Sequence, residues 1–308
     1  GPPEVTLRRL GFVEVPRGAK SGFDHADVLV TAVGSRMYVA HTGADRVDVF
    51  DCRDMRYLHA IEGHPGVAGI LIDSALDLML TTDRGCARLS IYRASDEKLL
   101  GQVAVGERPN GVALDVREGR AYTFDLGEPP GVGCTCTIVD VAGRAVIGRI
   151  ALPGRPRWAL YDTSSRSVYA NISDPPSIVV IDTSERRIER SIEIPSAGPH
   201  GLALIDDALF CATDAGELVV IGRDGAIRAS LKLAAAPDVV MFDRGLQRLY
   251  VAMGSPGLVQ SFDTADLRLV ETIETEEGAH TIGWDPELRR LWVFAPRSCG
   301  ALLYEDVQ

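Results

Sequence analysis

Short apolar runs punctuated by polar turns recur along the whole chain, and nowhere does a sustained helical period replace them. Some runs alternate apolar and polar residues, as in Ile188-Glu189-Arg190-Ser191-Ile192-Glu193-Ile194. That is the pattern of a strand with one wet face. Others, such as Leu249-Tyr250-Val251-Ala252 and Ile178-Val179-Val180-Ile181, are apolar throughout, as expected of strands covered on both faces. The pattern predicts an all-β chain of many short strands.

The strands repeat as a unit. A short apolar run follows a Pro or its substitute and often ends in Asp. The clear copies are Pro109-Asn110-Gly111-Val112-Ala113-Leu114-Asp115, Pro156-Arg157-Trp158-Ala159-Leu160-Tyr161-Asp162, Pro199-His200-Gly201-Leu202-Ala203-Leu204, Pro237-Asp238-Val239-Val240-Met241-Phe242-Asp243 and Ala279-His280-Thr281-Ile282-Gly283-Trp284-Asp285. Weaker copies begin at Val67 and His25, which makes seven. Asp73 and Asp115 lie 42 positions apart, as do Asp243 and Asp285. That spacing matches one four-stranded propeller blade, about 40–45 residues. A second strand with a central aromatic residue follows in most copies, then a third strand such as Val47-Asp48-Val49-Phe50-Asp51, then an alternating fourth.

The chain ends on a third-strand pattern, Ala301-Leu302-Leu303-Tyr304-Glu305-Asp306, while residues 5–15 carry the fourth-strand pattern. The expected fold is therefore one domain over residues 1–308, a seven-bladed β-propeller. The N-terminal strand joins the last blade and closes the ring, so that no sheet edge is left between the termini.

These repeats resemble those of the YVTN-type β-propeller proteins, whose unit runs Gly-x-Pro-x-Gly, then Leu-Tyr-Val-Ala-Asn, then Val-x-Val-Ile-Asp. Tyr38-Val39-Ala40-His41 and Tyr250-Val251-Ala252-Met253 are close to the second element. The resemblance spans all seven units and implies a propeller, in a family with many exported bacterial members. Neighbouring propeller families include metal-dependent lactonases, a streptogramin-cleaving lyase and quinone-cofactor enzymes, an analogy at the level of fold.

Composition narrows the partners. With 43 acidic and 32 basic residues the net charge is −11, which repels phosphate backbones and anionic lipid surfaces. A small-molecule ligand is expected, with no nucleic acid and no membrane, and the chain is expected to act as a monomer. The six cysteines lack zinc-site or disulfide spacing and read as small core residues, which leans towards the cytoplasm. Gly1-Pro2 without an initiator Met reads as a protease-cleaved end, which leaves room for an export signal ahead of it.

The residue after each Pro is expected at the mouth of the central channel. The seven copies give Ala26, Ala68, Asn110, Arg157, His200, Asp238 and His280. His200, Asp238 and His280 come from consecutive blades. They suit a divalent metal with open positions for an activated water, or a general base oriented by Asp238. Arg157, with Arg108 and Arg155, suits a carboxylate or phosphate. Asn110, Trp158, His41, Asp125 and Asn171 are further candidate ligand contacts, and Trp284 is a second candidate wall, though both Trp residues also suit the core. Asp24, His25 and Asp27 form a charged cluster expected near the same mouth. His59 and His64 are expected in solvent. Residues 127–133 lengthen a loop on that face. Two functional classes fit: a small-molecule-binding or metal-dependent hydrolase or lyase at the axial mouth, and a non-catalytic interaction scaffold. Polar residues at a wet channel mouth that merely bond neighbouring loops would serve the second.

Overall fold

The computed structural model describes residues 5–18 and 22–308; Gly1-Pro2 lies outside the described residues. Seven four-stranded antiparallel sheets stand around a central channel. Blade 1 runs outward through Ala26–Thr31, Gly34–His41, Arg46–Asp51 and Arg56–Glu62. The innermost strands of blades 2 to 7 are Val67–Asp73, Pro109–Asp115, Pro156–Asp162, Pro199–Ile205, Val240–Asp243 and Thr281–Asp285. In blade 7 the outermost strand is Leu7–Glu14, paired antiparallel with Gly300–Asp306 from Leu7↔Asp306 to Glu14↔Gly300. The ring closes as the repeat pattern predicts. Among the described residues no helix is long and apolar enough to cross a membrane.

Burial peaks in the second strands, as in Ser167–Ile172, whereas several innermost strands are only partly buried, as in Pro156–Asp162. The innermost strands have blades on their flanks but an open channel on their axial side. Outer strands alternate, as expected.

Seven apolar clusters hold the ring, one between each pair of neighbouring blades among the described residues. Their largest members are the second-strand aromatics Tyr38, Tyr122, Tyr169, Tyr250 and Trp292, all fully buried. Tyr250 of blade 6 stacks on Trp284 of blade 7 with ring centroids 4.6 Å apart. Trp284 Nε1 donates to Asp243 Oδ1 at 3.0 Å. Trp284 thus belongs to this interface and lines no channel wall.

The glycine after the ring residue has a physical cause. A Cβ on Gly69 would lie 2.2 Å from the Asn110 carbonyl oxygen, and one on Gly201 would lie 2.6 Å from that of Asp238. In each case the contact is with the ring residue of the next blade. A side chain there would wedge neighbouring inner strands apart. Gly69→Ala is expected to cost about 1–3 kcal/mol, as overpacking does. Urea unfolding should show a lowered midpoint with an unchanged slope.

Candidate functional site

Strand register identifies the residues at the mouth. Each inner strand places one residue opposite the central residue of the second strand: Asp27↔Tyr38, Leu71↔Leu80, Ala113↔Tyr122, Leu160↔Tyr169, Ala203↔Phe210, Met241↔Tyr250 and Gly283↔Trp292. Three residues earlier stand Asp24, Ala68, Asn110, Arg157, His200, Asp238 and His280. Ala26 therefore does not belong to the ring, and Asp24 takes its place. Phe23 stands where blade 3 has Pro109, so an alignment anchored on proline slips by two residues in blade 1.

A cavity of about 200 Å³ at this mouth is lined by Asp24, His25, Arg84, Asn110, Arg155, Arg157, Trp158, His200, Asp238 and His280. Asn110, Arg157, Trp158, His200, Asp238 and His280 are thus brought together. Ala68 leaves a gap in the ring, and Arg84 of the same blade fills it from a 3-10 turn at Arg84–Cys86. Its Nη2 donates to Asp24 Oδ2 at 2.6 Å and to Asn110 Oδ1 at 2.8 Å, which are the ring residues on either side. An alanine among polar ring residues was the only sequence sign that another side chain reaches in.

Asp238 is the hub. Its Oδ1 lies 3.2 Å from His200 Nε2, and its Oδ2 lies 3.0 Å from His280 Nδ1. Asp214, which follows the second strand of blade 5, pairs with His200 Nδ1 at 2.9 Å. Burial alone would lower the His200 pKa, but the hydrogen bonds to Asp214 and Asp238 outweigh it and raise it to about 9. Burial would likewise raise the Asp238 pKa, yet the two imidazoles hold it well below the usual carboxylate range. The hydrogen bond to Asp238 raises the His280 pKa despite burial. Each imidazole nitrogen facing Asp238 therefore carries a proton. Arg157 Nη1 sits 3.2 and 3.1 Å from the two ring nitrogens of His200, so two cations touch between the carboxylates of Asp214 and Asp238.

The lining carries more positive than negative charge at neutral pH. Arg84, Arg155, Arg157 and His200 face the carboxylates Asp24 and Asp238. The Arg155 guanidinium has no hydrogen-bond or ion-pair partner among the described residues, and desolvation together with Arg157 and Arg84 lowers its pKa. The buried Nε atoms of Arg84 and Arg157 also lack an acceptor. His25 forms the floor: its Nε2 lies 3.3 Å from Asp24 Oδ1, and its ring meets the Trp158 ring edge-on with centroids 4.6 Å apart. Burial lowers the His25 pKa and keeps it neutral.

Other candidates lie elsewhere. His41 is fully buried, with Nδ1 2.7 Å from Asp48 Oδ2 and its ring against Phe23. Asp125 accepts from the hydroxyls of Thr123, Thr135 and Thr137, and burial raises its pKa to about 6. Asn171 donates to the carbonyls of His200 and Gly201. These three brace strand ends behind the mouth and do not line it. Arg108 is tied to Glu128 at 2.8 Å, and the loop at 127–133 stays outside the cavity. His64, expected in solvent, is fully buried between Asp83 and the Tyr92 hydroxyl. His59 is part-exposed and paired with Glu97. All six cysteines are free, and only Cys86 is exposed.

No group of three or more His, Cys, Asp or Glu side chains among the described residues has the arrangement of a metal site. Asp238 lies between the two imidazoles expected to share a metal with it and engages a nitrogen of each, so an ion on these three residues would have to displace both contacts.

No protein-family profile matches the chain, and no curated protein does. Among solved structures, a chain of Kuenenia stuttgartiensis hydrazine synthase superposes with a TM-score of 0.78 at 13% identity, over 95% of this chain and 97% of that one. The likeness concerns the fold, and it agrees with the seven blades described above.

Proposed function

We propose that the protein binds a small anionic molecule at the axial mouth, and that His280, oriented by Asp238, exchanges a proton with it in hydrolase- or lyase-type chemistry. The observation that carries this reading is the excess of guanidinium charge in one small cavity of a chain whose net charge is −11. The buried Nε atoms of Arg84 and Arg157 lack an acceptor among the described residues, and a carboxylate or phosphate supplies one. Asp238 engages Nδ1 of His280 and leaves Nε2 without a partner among the described residues. A charged imidazole in that setting acts as a general acid, and its neutral form acts as a base. The YVTN-type repeat pattern and the analogy to hydrolytic and lyase propellers agree with this reading. A divalent ion on His200, Asp238 and His280 would have to displace both His–Asp238 contacts, whereas an anion leaves them in place.

The test is calorimetry with succinate and phenyl phosphate, beside a screen of ester and lactone turnover. Anion binding should weaken at least tenfold in Arg157→Ala. It should also weaken as pH rises from 7 to 10, because His200 loses its charge through about pH 9. His280→Ala should keep binding and lose turnover. Anions that fail to bind at millimolar concentration, or that bind Arg157→Ala equally well, would sink the proposal. The scaffold reading has one feature in its favour, a hollow on the flank of blade 4 lined by Pro153, Pro175, Pro176, Pro195, Ile194 and Ile227. A His280→Ala variant that folds but has lost turnover would rule that reading out.

A further inference from the structure

Beneath the mouth, the channel continues as a second cavity of about 470 Å³ that reaches the ends of the inner strands at Asp73, Val116 and Thr163, the last two lying one residue past theirs. His25 and Trp158 line both cavities and form the partition between them. The two spaces differ in charge. The mouth holds three arginines, whereas the lower chamber has no Arg or Lys in its lining. Its walls are apolar, including Leu71, Leu160 and Met241.

In the layer that crosses the chamber, one side chain breaks the apolar sequence. The register layer through the chamber reads Asp27, Leu71, Ala113, Leu160, Ala203, Met241 and Gly283, and Asp27 is its only polar residue. Asp24, His25 and Asp27 are therefore not one cluster, because Asp27 lies a layer below the mouth. Its Oδ1 accepts from Val28 N at 2.8 Å and its Oδ2 from Ile72 N at 2.7 Å. These bonds hold the carboxylate in place but bring no positive charge. The other titratable groups lining the chamber are His25, which burial keeps neutral, Asp73, which adds a second negative charge, and Tyr161. An ionised carboxylate in an apolar cavity is costly until a cation joins it.

We propose that this chamber binds an organic cation, a protonated amine carrying a compact apolar body, with Asp27 as its counter-ion. The amine pairs with Asp27, while the apolar body displaces water from the channel walls and meets the indole of Trp158. A bare inorganic cation would gain only the first of these contacts. The site is independent of the anion site above the partition.

The probe is 2-phenylethylammonium, titrated calorimetrically into the full chain in 150 mM sodium chloride, with phenylacetate as the charge-reversed control. Burial raises the Asp27 pKa to about 6, against the backbone hydrogen bonds that lower it. Binding should thus be strong at pH 8 and fall at least tenfold at pH 5, where Asp27 is protonated. Asp27→Asn should abolish it and leave anion binding at the mouth intact. Met241→Trp fills the chamber from blade 6 without touching Asp27 and should also abolish it, which covers the case that Asp27→Asn does not fold. Phenylacetate should not bind the chamber. If wild type shows no amine binding at millimolar concentration, the proposal fails. It fails equally if amine binding persists in both variants, or if Asp27→Asn only raises the melting temperature of a protein that never bound the amine.

Discussion

Deleting residues 1–15 is expected to lower the melting temperature by more than ten degrees or to abolish cooperative unfolding altogether. The outer strand of blade 7, Leu7–Glu14, pairs with Gly300–Asp306 and joins the two ends of the chain. Leu7 packs into the apolar cluster between blades 6 and 7, and Val13 and Val15 into the cluster between blades 7 and 1. Thr6 and Leu7 also donate their backbone N–H groups to Glu271 of blade 6 at 3.0 and 2.9 Å. Three buried aliphatic side chains contribute about 5 kcal/mol or more, the order of a whole domain's net stability. The deletion also bares the edge of Gly300–Asp306, which invites association between chains. Thermal melts of the truncated protein check this, and a synthetic peptide of residues 5–15 added in trans should restore part of the loss. A truncated protein that melts within two degrees of the full chain would show that the closure carries no weight.

Asp238→Asn is expected to destabilise the protein by about 3 kcal/mol near neutral pH, because it leaves His200, His280 and Arg157 crowded without the anion between them. The pH dependence has a definite sign. His200 is raised from its ordinary 6.5 to about 9, so the stability from its carboxylate partners is fully present below pH 6.5 and is lost as pH rises through 9. Asp238 is depressed from its ordinary 3.8, so its contribution is present above that pH and is lost in stronger acid. The gap between wild type and variant should thus be widest between about pH 4 and 6.5 and should narrow towards pH 10. Urea unfolding at pH 5.5, 7.5 and 9.5 measures it. A gap that is constant across that series would mean that the ion pairs are not what the substitution removes.

The way each part of the site was found, or missed, follows from the physics of the repeat. Arg157, His200, Asp238 and His280 were legible because a proline or alanine marks the start of their inner strands and sets the residue that follows on the ring. Asp24, expected near the mouth, was not legible as the ring residue of blade 1, because Phe23 replaces that proline. Hydrogen-bond register then places Asp24 two positions before the residue that the repeat alignment picks. Arg84 and Asp214 were illegible for another reason. They come from loops after the second strands, and nothing in a one-dimensional pattern says that such a loop folds over the ring. His41, Asp125 and Asn171 lie on the same face but one shell further out, where blade packing covers them.

The amino-acid sequence by itself determined the all-β class, the seven units and the closing strand. Each rests on local periodicity, and every blade must bury the same two faces against its neighbours. It also determined which residue types reach the axis. Their charge states, and the partition of the channel, were decided only by the tertiary structure. A carboxylate between two imidazoles raises the pKa of both. A carboxylate one layer below, among mostly apolar walls, keeps its proton to higher pH. Both effects depend on distances between blades that are far apart in sequence, and no local pattern encodes those distances.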